Sequence, residues 1–118
     1  MTPERQRVVI AEACGLTNVA PWIVKNVKHE GDDITVGIWS DDGWVPQYLN
    51  DLNAMHDAVS IFDYDQADEF EDHLCDICKR LNDEKENPAP WRFAVVNATA
   101  SQRAEAFLRT IGKWEESR

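Results

Sequence analysis

The spacing of the hydrophobic positions changes several times along the chain, and each change marks a predicted element. Near the N-terminus, Thr2, Pro3 and Glu4 have the order of a hydroxyl N-cap, a first-turn proline and an acid that the helix dipole favours. Gly15 follows as a stop signal. We therefore predict a first helix from about Pro3 to Cys14.

The next region has the composition and alternation of extended chain. Residues 22–29 are rich in β-branched side chains, and residues 34–39 alternate apolar and smaller or polar positions across a turn at 30–32. An Asp-Gly turn ending at Gly43 leads into Trp44 and Val45, and Pro46 ends the run. These signals predict a three-stranded antiparallel meander.

Beyond residue 50 the apolar positions recur three and four apart, which is the period of a helix. The first such face consists of Leu52, Met55, His56 and Val59. A second helix begins at a cap supplied by Asp63 or Asp65, and its apolar face consists of Phe70, Leu74, Ile77, Cys78 and Leu81. Prolines at 88 and 90 then break the chain, and the alternation of Trp91, Phe93 and Val95 predicts a fourth strand.

The segment from Ala98 to Trp114 carries a complete set of helix signals. Thr99 and Gln102 form a capping box, and Gly112 closes the helix. Glu105 and Arg109 are four residues apart in the favourable order. Every polar feature of this segment has a structural explanation, so we predict that it supports the core and performs no chemistry.

Together these elements predict a single domain over residues 1–118. The predicted class is α+β: a mostly antiparallel four-stranded sheet flanked by helices, in the order α-β-β-β-α-α-β-α. We expect the core to be dominated by large apolar side chains. They are Trp22, Ile34, Val36, Ile38, Leu52, Met55, Phe70, Leu74, Ile77, Phe93, Val95, Phe107, Leu108 and Ile111.

The charge is distributed unevenly along the chain. The formal net charge is −10, and fourteen of the 22 acidic residues lie between His29 and Cys78, where there is no lysine or arginine. Such a surface repels phosphate, so we expect no direct binding to nucleic acid. The polar N-terminus, the lack of a long apolar run and the odd number of cysteines, three, predict a cytoplasmic protein without a membrane span.

Two stretches carry a resemblance to a known family. "PQYLNDLNAMHDA", from Pro46 to Ala58, and "ATASQRAEAFLRTIGKW", from Ala98 to Trp114, resemble the phage ABA sandwich domain family. The resemblance implies a sheet between helical layers and a small protein of phage or prophage origin, located in the bacterial host cytoplasm. It implies no reaction, cofactor or catalytic residue.

Asp51, Asn53 and His56 lie within the first of these stretches and are the candidate ligand neighbourhood. An acid and an imidazole at this spacing could serve a small-ligand binder or an enzyme. The alternative is that Asp51 caps a helix and His56 belongs to its apolar face. No nucleophile motif or phosphate-binding loop accompanies them, so we expect no catalytic residue.

The acidic segment is the second candidate, as an interaction face. It contains Asp63, Asp65, Asp68, Glu69 and Asp72. Closely spaced carboxylates can imitate a row of phosphates and occupy the nucleic-acid groove of a host protein. The alternative is a solvated helix face that keeps the protein in solution.

Cys75 and Cys78 have the C-x-x-C spacing of zinc and redox sites, with His73 just before them. A second pair of ligands is missing from the sequence nearby, so we expect no metal or other cofactor. The function that the sequence favours is that of a non-enzymatic accessory protein acting through contacts with another protein, for which a host protein is a candidate.

Overall fold

The computed structural model describes residues 1–25, 33–84 and 90–116, with side chains described in those ranges except at 21–25, 33–36, 91 and 92. The described part of the chain forms five helices and three strands. They are α1 (Pro3–Ala13), β1 (Ala20–Lys25), β2 (Asp33–Ser40), β3 (Gly43–Trp44), α2 (Leu52–Val59), α3 (Tyr64–Asp83), α4 (Trp91–Val96) and α5 (Ala100–Thr110).

The sheet is much smaller than the sequence predicts. It is an antiparallel ribbon of β1 and β2, and the two-residue β3 only extends one end of it. The predicted four-stranded sheet flanked by helices is therefore wrong, and so is the helix–sheet–helix sandwich that the family resemblance implies. The described chain is predominantly helical.

The error lies in the segment after Pro90, which forms helix α4 and not a fourth strand. In this run of six residues, Trp91, Phe93 and Val95 alternate as in a strand, but Trp91 and Val95 are also four residues apart, as on one face of a helix. The apolar pattern therefore fits both structures. Pro90 fixes the entry to the helix, and its carbonyl accepts the first helical hydrogen bond from the Ala94 N–H at 3.2 Å. Asn97 closes the other end by donating its side-chain amide to the Phe93 carbonyl at 2.9 Å.

Helix α5 is the centre of the helical part, because it contacts α1, α2 and α3. The predicted capping box is confirmed: the Thr99 hydroxyl accepts from the Gln102 N–H at 3.1 Å, and the Gln102 side chain accepts from the Thr99 N–H at 2.8 Å. Gly112 has φ +71°, as a helix-ending glycine requires. The predicted supporting role of this segment is confirmed by its burial, since Ala104, Phe107 and Leu108 are fully buried.

The other predicted helix starts are also confirmed. Thr2 caps α1, Asp51 caps α2, and Asp63, not Asp65, caps α3 through a capping box with Gln66. These caps depend on hydrogen bonds within one turn, which is why local sequence predicts them. No helix in the described ranges is long and apolar enough to span a bilayer.

The predicted core is correct in part. The residues confirmed as buried are Ile38, Met55, Phe70, Leu74, Ile77, Phe107 and Leu108. Leu52 and Phe93 are wrong, since they are 45% and 61% exposed, and Val95 and Ile111 are only partly buried. The side chains of Trp22, Ile34 and Val36 lie outside the described residues.

Candidate functional site

A groove between helices, with a volume of about 550 Å³, is the main candidate binding surface. We call it the interhelical groove. It is open to solvent, and its lining is mainly apolar. Its lining residues are Met55, His56, Val59, Ala67, Phe70, Glu71, Leu74, Cys75, Val95, Val96 and Arg103.

One wall comes from α2. Met55, His56 and Val59 belong to the same helical face that the sequence singles out as a core stripe. Met55 is fully buried and forms the base of this wall, whereas His56 is exposed. Leu52, one turn before His56, lies on the same face but is exposed to solvent. Only part of the predicted apolar stripe therefore belongs to the core.

The facing wall comes from α3. Ala67, Phe70, Glu71, Leu74 and Cys75 are spaced at i, i+3, i+4, i+7 and i+8, so they form one continuous helical face. Phe70 and Leu74 are almost fully buried and join the groove to the core. The charged residue on this face is Glu71, which is exposed.

The end of α4 and the start of α5 close the groove. Val96 is 75% exposed at the rim. Arg103 lies beside it, and its guanidinium donates to the backbone carbonyls of Ala98 at 3.3 Å and Val96 at 3.4 Å. These bonds use carbonyls near the end of α4, so Arg103 ties the short helix to α5.

Asp51 and Asn53 are placed elsewhere. The Asp51 carboxylate accepts from the backbone N–H groups of Asn53 and Ala54, at 2.9 and 3.4 Å, which is the capping role. Both residues line a second cavity of about 360 Å³, with Cys14 and Tyr48. His56 is absent from that lining, so the structure does not gather Asp51, Asn53 and His56 into one site.

Tyr48 and Cys14 lie side by side in the lining of this second cavity. Burial raises the pKa of Tyr48 to about 12 and also raises the pKa of the Cys14 thiol. Burial lowers the pKa of Arg7 nearby, and its guanidinium donates to the Val45 carbonyl at 2.8 Å and the Pro46 carbonyl at 3.2 Å. Burial thus favours the protonated hydroxyl and thiol, and the Arg7 hydrogen bonds tie α1 to the loop before α2.

The acidic segment forms one exposed edge of α3. Asp63 is used as the helix cap, and Glu69 lies 3.6 Å from His73. Asp65, Asp68 and Asp72 have no cationic side chain within 4 Å in the described parts of the chain. The segment is therefore a real stripe of carboxylates along the helix, but its first member is structural.

The C-x-x-C pair is divided between two environments. Cys78 is buried in the core, whereas Cys75 is partly exposed in the groove. Burial raises the pKa of both thiols, and the neighbouring carboxylates of Asp72 and Glu71 raise the pKa of Cys75 further. Within the described residues there is no group of three or more side chains that could hold a metal ion.

The tryptophans of the second turn form a separate surface. The Trp39 and Trp44 rings meet edge to face, 4.8 Å between centroids, and are 40% and 54% exposed. The Trp44 ring lies over Gly37, where a Cβ atom would come within 2.9 Å of it. The sequence places both tryptophans beside this turn, and the structure confirms it.

Sequence reasoning missed the groove itself. Its lining comes from four helices, Ala67 and Val96 carry no signal of their own, and the spacing of Cys75 indicates a metal or redox site and not a groove. The available signal was the breadth of the α3 apolar face, which is wider than packing against one neighbouring helix requires. Comparisons of the chain with known protein families, curated proteins and solved structures found no match.

Proposed function

We propose that the protein is a non-enzymatic protein-binding module and that the interhelical groove is its binding surface. The observation that carries this proposal is a solvent-open, mainly apolar groove whose base, at Met55, Phe70 and Leu74, is continuous with the core. A rigid base of this kind can accept apolar side chains without rearranging, which keeps the entropic cost of binding low.

The surface around the groove extends the apolar area. Val96, at the rim of the groove, is 75% exposed, and Leu52, one turn before the groove residue His56 on α2, is 45% exposed. Apolar side chains grouped at the rim of a groove are typical of protein-binding surfaces. A small ligand would fill the groove but leave these side chains in water, so a larger occupant fits better.

The catalytic alternative receives less support from the geometry. Asp51 is committed to capping α2, and His56 has no carboxylate partner among the hydrogen bonds and ion pairs of the described residues. A general base needs a partner that orients it and a substrate position within reach. These residues provide neither arrangement.

A second candidate function rests on the acidic edge of α3. Asp65, Asp68, Asp72 and Asp76 recur three or four residues apart and have no cationic partner in the described ranges, so they present a row of charges about 5 to 6 Å apart. Such a row could compete for the nucleic-acid groove of a host enzyme or defence factor. Reversing Asp68, Glu69 and Asp72 together should then abolish salt-sensitive binding to a basic nucleic-acid-binding protein; unchanged affinity would exclude the mimic.

The primary proposal is tested with designed helical peptides. Two fluorescent peptides of about 18 residues, or five turns, carry the same Leu stripe, one with lysine flanks and one with glutamate flanks. Binding is measured by fluorescence anisotropy against the parent protein and Ala67→Trp, which fills the groove. Ala13→Trp, at an exposed position of α1, is the matched control.

At least one peptide should bind the parent and the control, and Ala67→Trp should weaken that binding about tenfold or more. Val96→Asp is a second variant, and its exposed position keeps the fold intact. If neither peptide binds, or if both groove variants bind as the parent does, the groove is not the binding surface. The cytoplasmic location and the phage origin stay predictions from the sequence.

A further inference from the structure

The two sides of the interhelical groove carry opposite charge. On the α3 side, Glu71 lines the groove and Asp68 and Asp72 lie immediately beside it on the same helix. In the described chain none of these three carboxylates has a cationic side chain within 4 Å. Their charge is therefore left for water or for a bound partner.

Cys75 locates these acids relative to the groove. Its thiol lines the groove, and after burial the carboxylates of Asp72 and Glu71 are the main causes that raise its pKa. Asp68 is three residues before Glu71 and Asp72 is three residues before Cys75, so each acid lies one helical turn from a residue that lines the groove. The acidic edge therefore borders the groove along the α3 wall.

Arg103 lies at the corner of α4 and α5. Its side chain donates two hydrogen bonds to backbone carbonyls, and no carboxylate of the described residues lies within ion-pair distance of it. Arg80 and Arg109, by contrast, both pair with Glu105. A guanidinium has five N–H donors, so Arg103 retains donors for a bound acid.

The helical walls also favour one secondary structure for a bound segment. Each wall is a helix, so its own peptide groups are already paired and offer no ladder to an added strand. A helix pairs its backbone internally and needs no partner groups from the groove, so it suits walls of this kind. An amphipathic helix then places residues at i, i+3, i+4 and i+7 into the apolar base.

We propose, on the basis of the proposed function, that the groove binds a basic amphipathic helix of a partner protein. Its apolar stripe contacts the base, lysine or arginine residues on one flank face Glu71, Asp68 and Asp72, and an aspartate or glutamate on the other flank faces Arg103. This charge pattern fixes the orientation of the helix. A second copy of this chain does not fit, because its own exposed α3 edge is acidic and would be repelled.

The test compares two peptides that share the Leu stripe. One has lysines along one flank and a single glutamate on the other, and its counterpart has every charge reversed. We expect the lysine-flanked peptide to bind about tenfold more tightly at about 50 mM salt, with the difference shrinking to about twofold near 500 mM because exposed charges are then screened.

Charge reversal in the protein provides the matched control. Glu71→Lys should weaken binding of the lysine-flanked peptide about fivefold and strengthen binding of its counterpart, whereas Glu12→Lys on α1 makes the same charge change away from the groove and should alter neither. If the charge-reversed peptide binds the parent equally well or better, the inference is wrong and the proposed function stands. If neither peptide binds, both are wrong.

Discussion

Truncation of Phe107 to alanine is the sharpest test of the fold that forms the groove. Phe107 is fully buried on α5, the helix that contacts α1, α2 and α3. Its ring stacks on Phe62 with 4.8 Å between centroids and 22° between planes, and Phe62 in turn meets Phe70 at 6.0 Å. Phe70 lines the groove, so this aromatic chain supports the groove from below.

The magnitude follows from the loss of the ring. Removing a buried phenylalanine costs about 3 to 5 kcal/mol of unfolding free energy. The loss of an aromatic pair, about 0.5 to 1.5 kcal/mol, places this variant in the upper part of that range. We therefore expect Phe107→Ala to lower the free energy of unfolding by about 4 to 5 kcal/mol. Domains of this size have a total of about 5 to 15 kcal/mol, so the variant should approach the limit of stability.

Chemical denaturation followed by tryptophan fluorescence and circular dichroism measures this difference directly. In thermal unfolding, the melting temperature of Phe107→Ala should be roughly 15 to 20 °C below that of the parent. Phe93→Ala is the matched control, because the same truncation at a 61% exposed position should change stability by about 0.5 kcal/mol or less. If both variants melt alike, or if Phe107→Ala loses less than about 1 kcal/mol, α5 is not the centre of the core.

Two further predictions concern a cap and a buried hydroxyl. Thr99→Ala should cost about 1 kcal/mol by denaturation because it removes the α5 cap, whereas Ser101→Ala, at an exposed position in the first turn, should stay within about 0.5 kcal/mol. Equal effects would contradict the capping box. Burial raises the pKa of Tyr48 from its ordinary value of 10.0 to about 12. Its neutral form therefore stabilises the fold below pH 10, and that contribution is lost as the pH rises from 10 to 12. The assay is a set of chemical denaturation curves, each at one fixed pH between 10 and 12, and over this interval Tyr48→Phe should lose less unfolding free energy than the parent. Tyr64→Phe, at the exposed tyrosine, should follow the parent. Identical pH profiles for all three proteins would contradict the burial of the Tyr48 hydroxyl.

Local signals in the sequence predict the helices well. Thr99 with Gln102 and Asp51 before α2 each complete a hydrogen-bond pattern within one turn, so the sequence alone determines where these helices begin. The same locality explains why the bounds of α1 and α5 agree with prediction to within a residue or two.

Elements that depend on tertiary contacts are harder to predict. The run of six residues from Trp91 fits both a strand and a helix, and its packing against α3 favours the helix. Leu52 belongs to the amphipathic face of α2, and α2 contacts α5, but Leu52 itself remains exposed. The helical periodicity alone therefore overstates the burial of Leu52.

The groove could not be predicted for the same reason. Its walls join residues as distant in sequence as Met55 and Arg103, and its shape depends on how α2, α3 and α5 pack. The sequence does indicate an acidic α3 edge, but it could not show that this edge borders a groove while Arg103 lies at the α4–α5 corner.

The most direct test of the central claim is an amide NMR titration of the protein with the lysine-flanked peptide. The account predicts resonance shifts grouped at Val59, Ala67, Cys75 and Val96, on all the walls of the interhelical groove, with the resonances of Trp39 and Trp44 unchanged. Shifts confined to the tryptophan turn, or spread evenly along the acidic edge without Val59 and Val96, would contradict the claim that the groove is the binding surface.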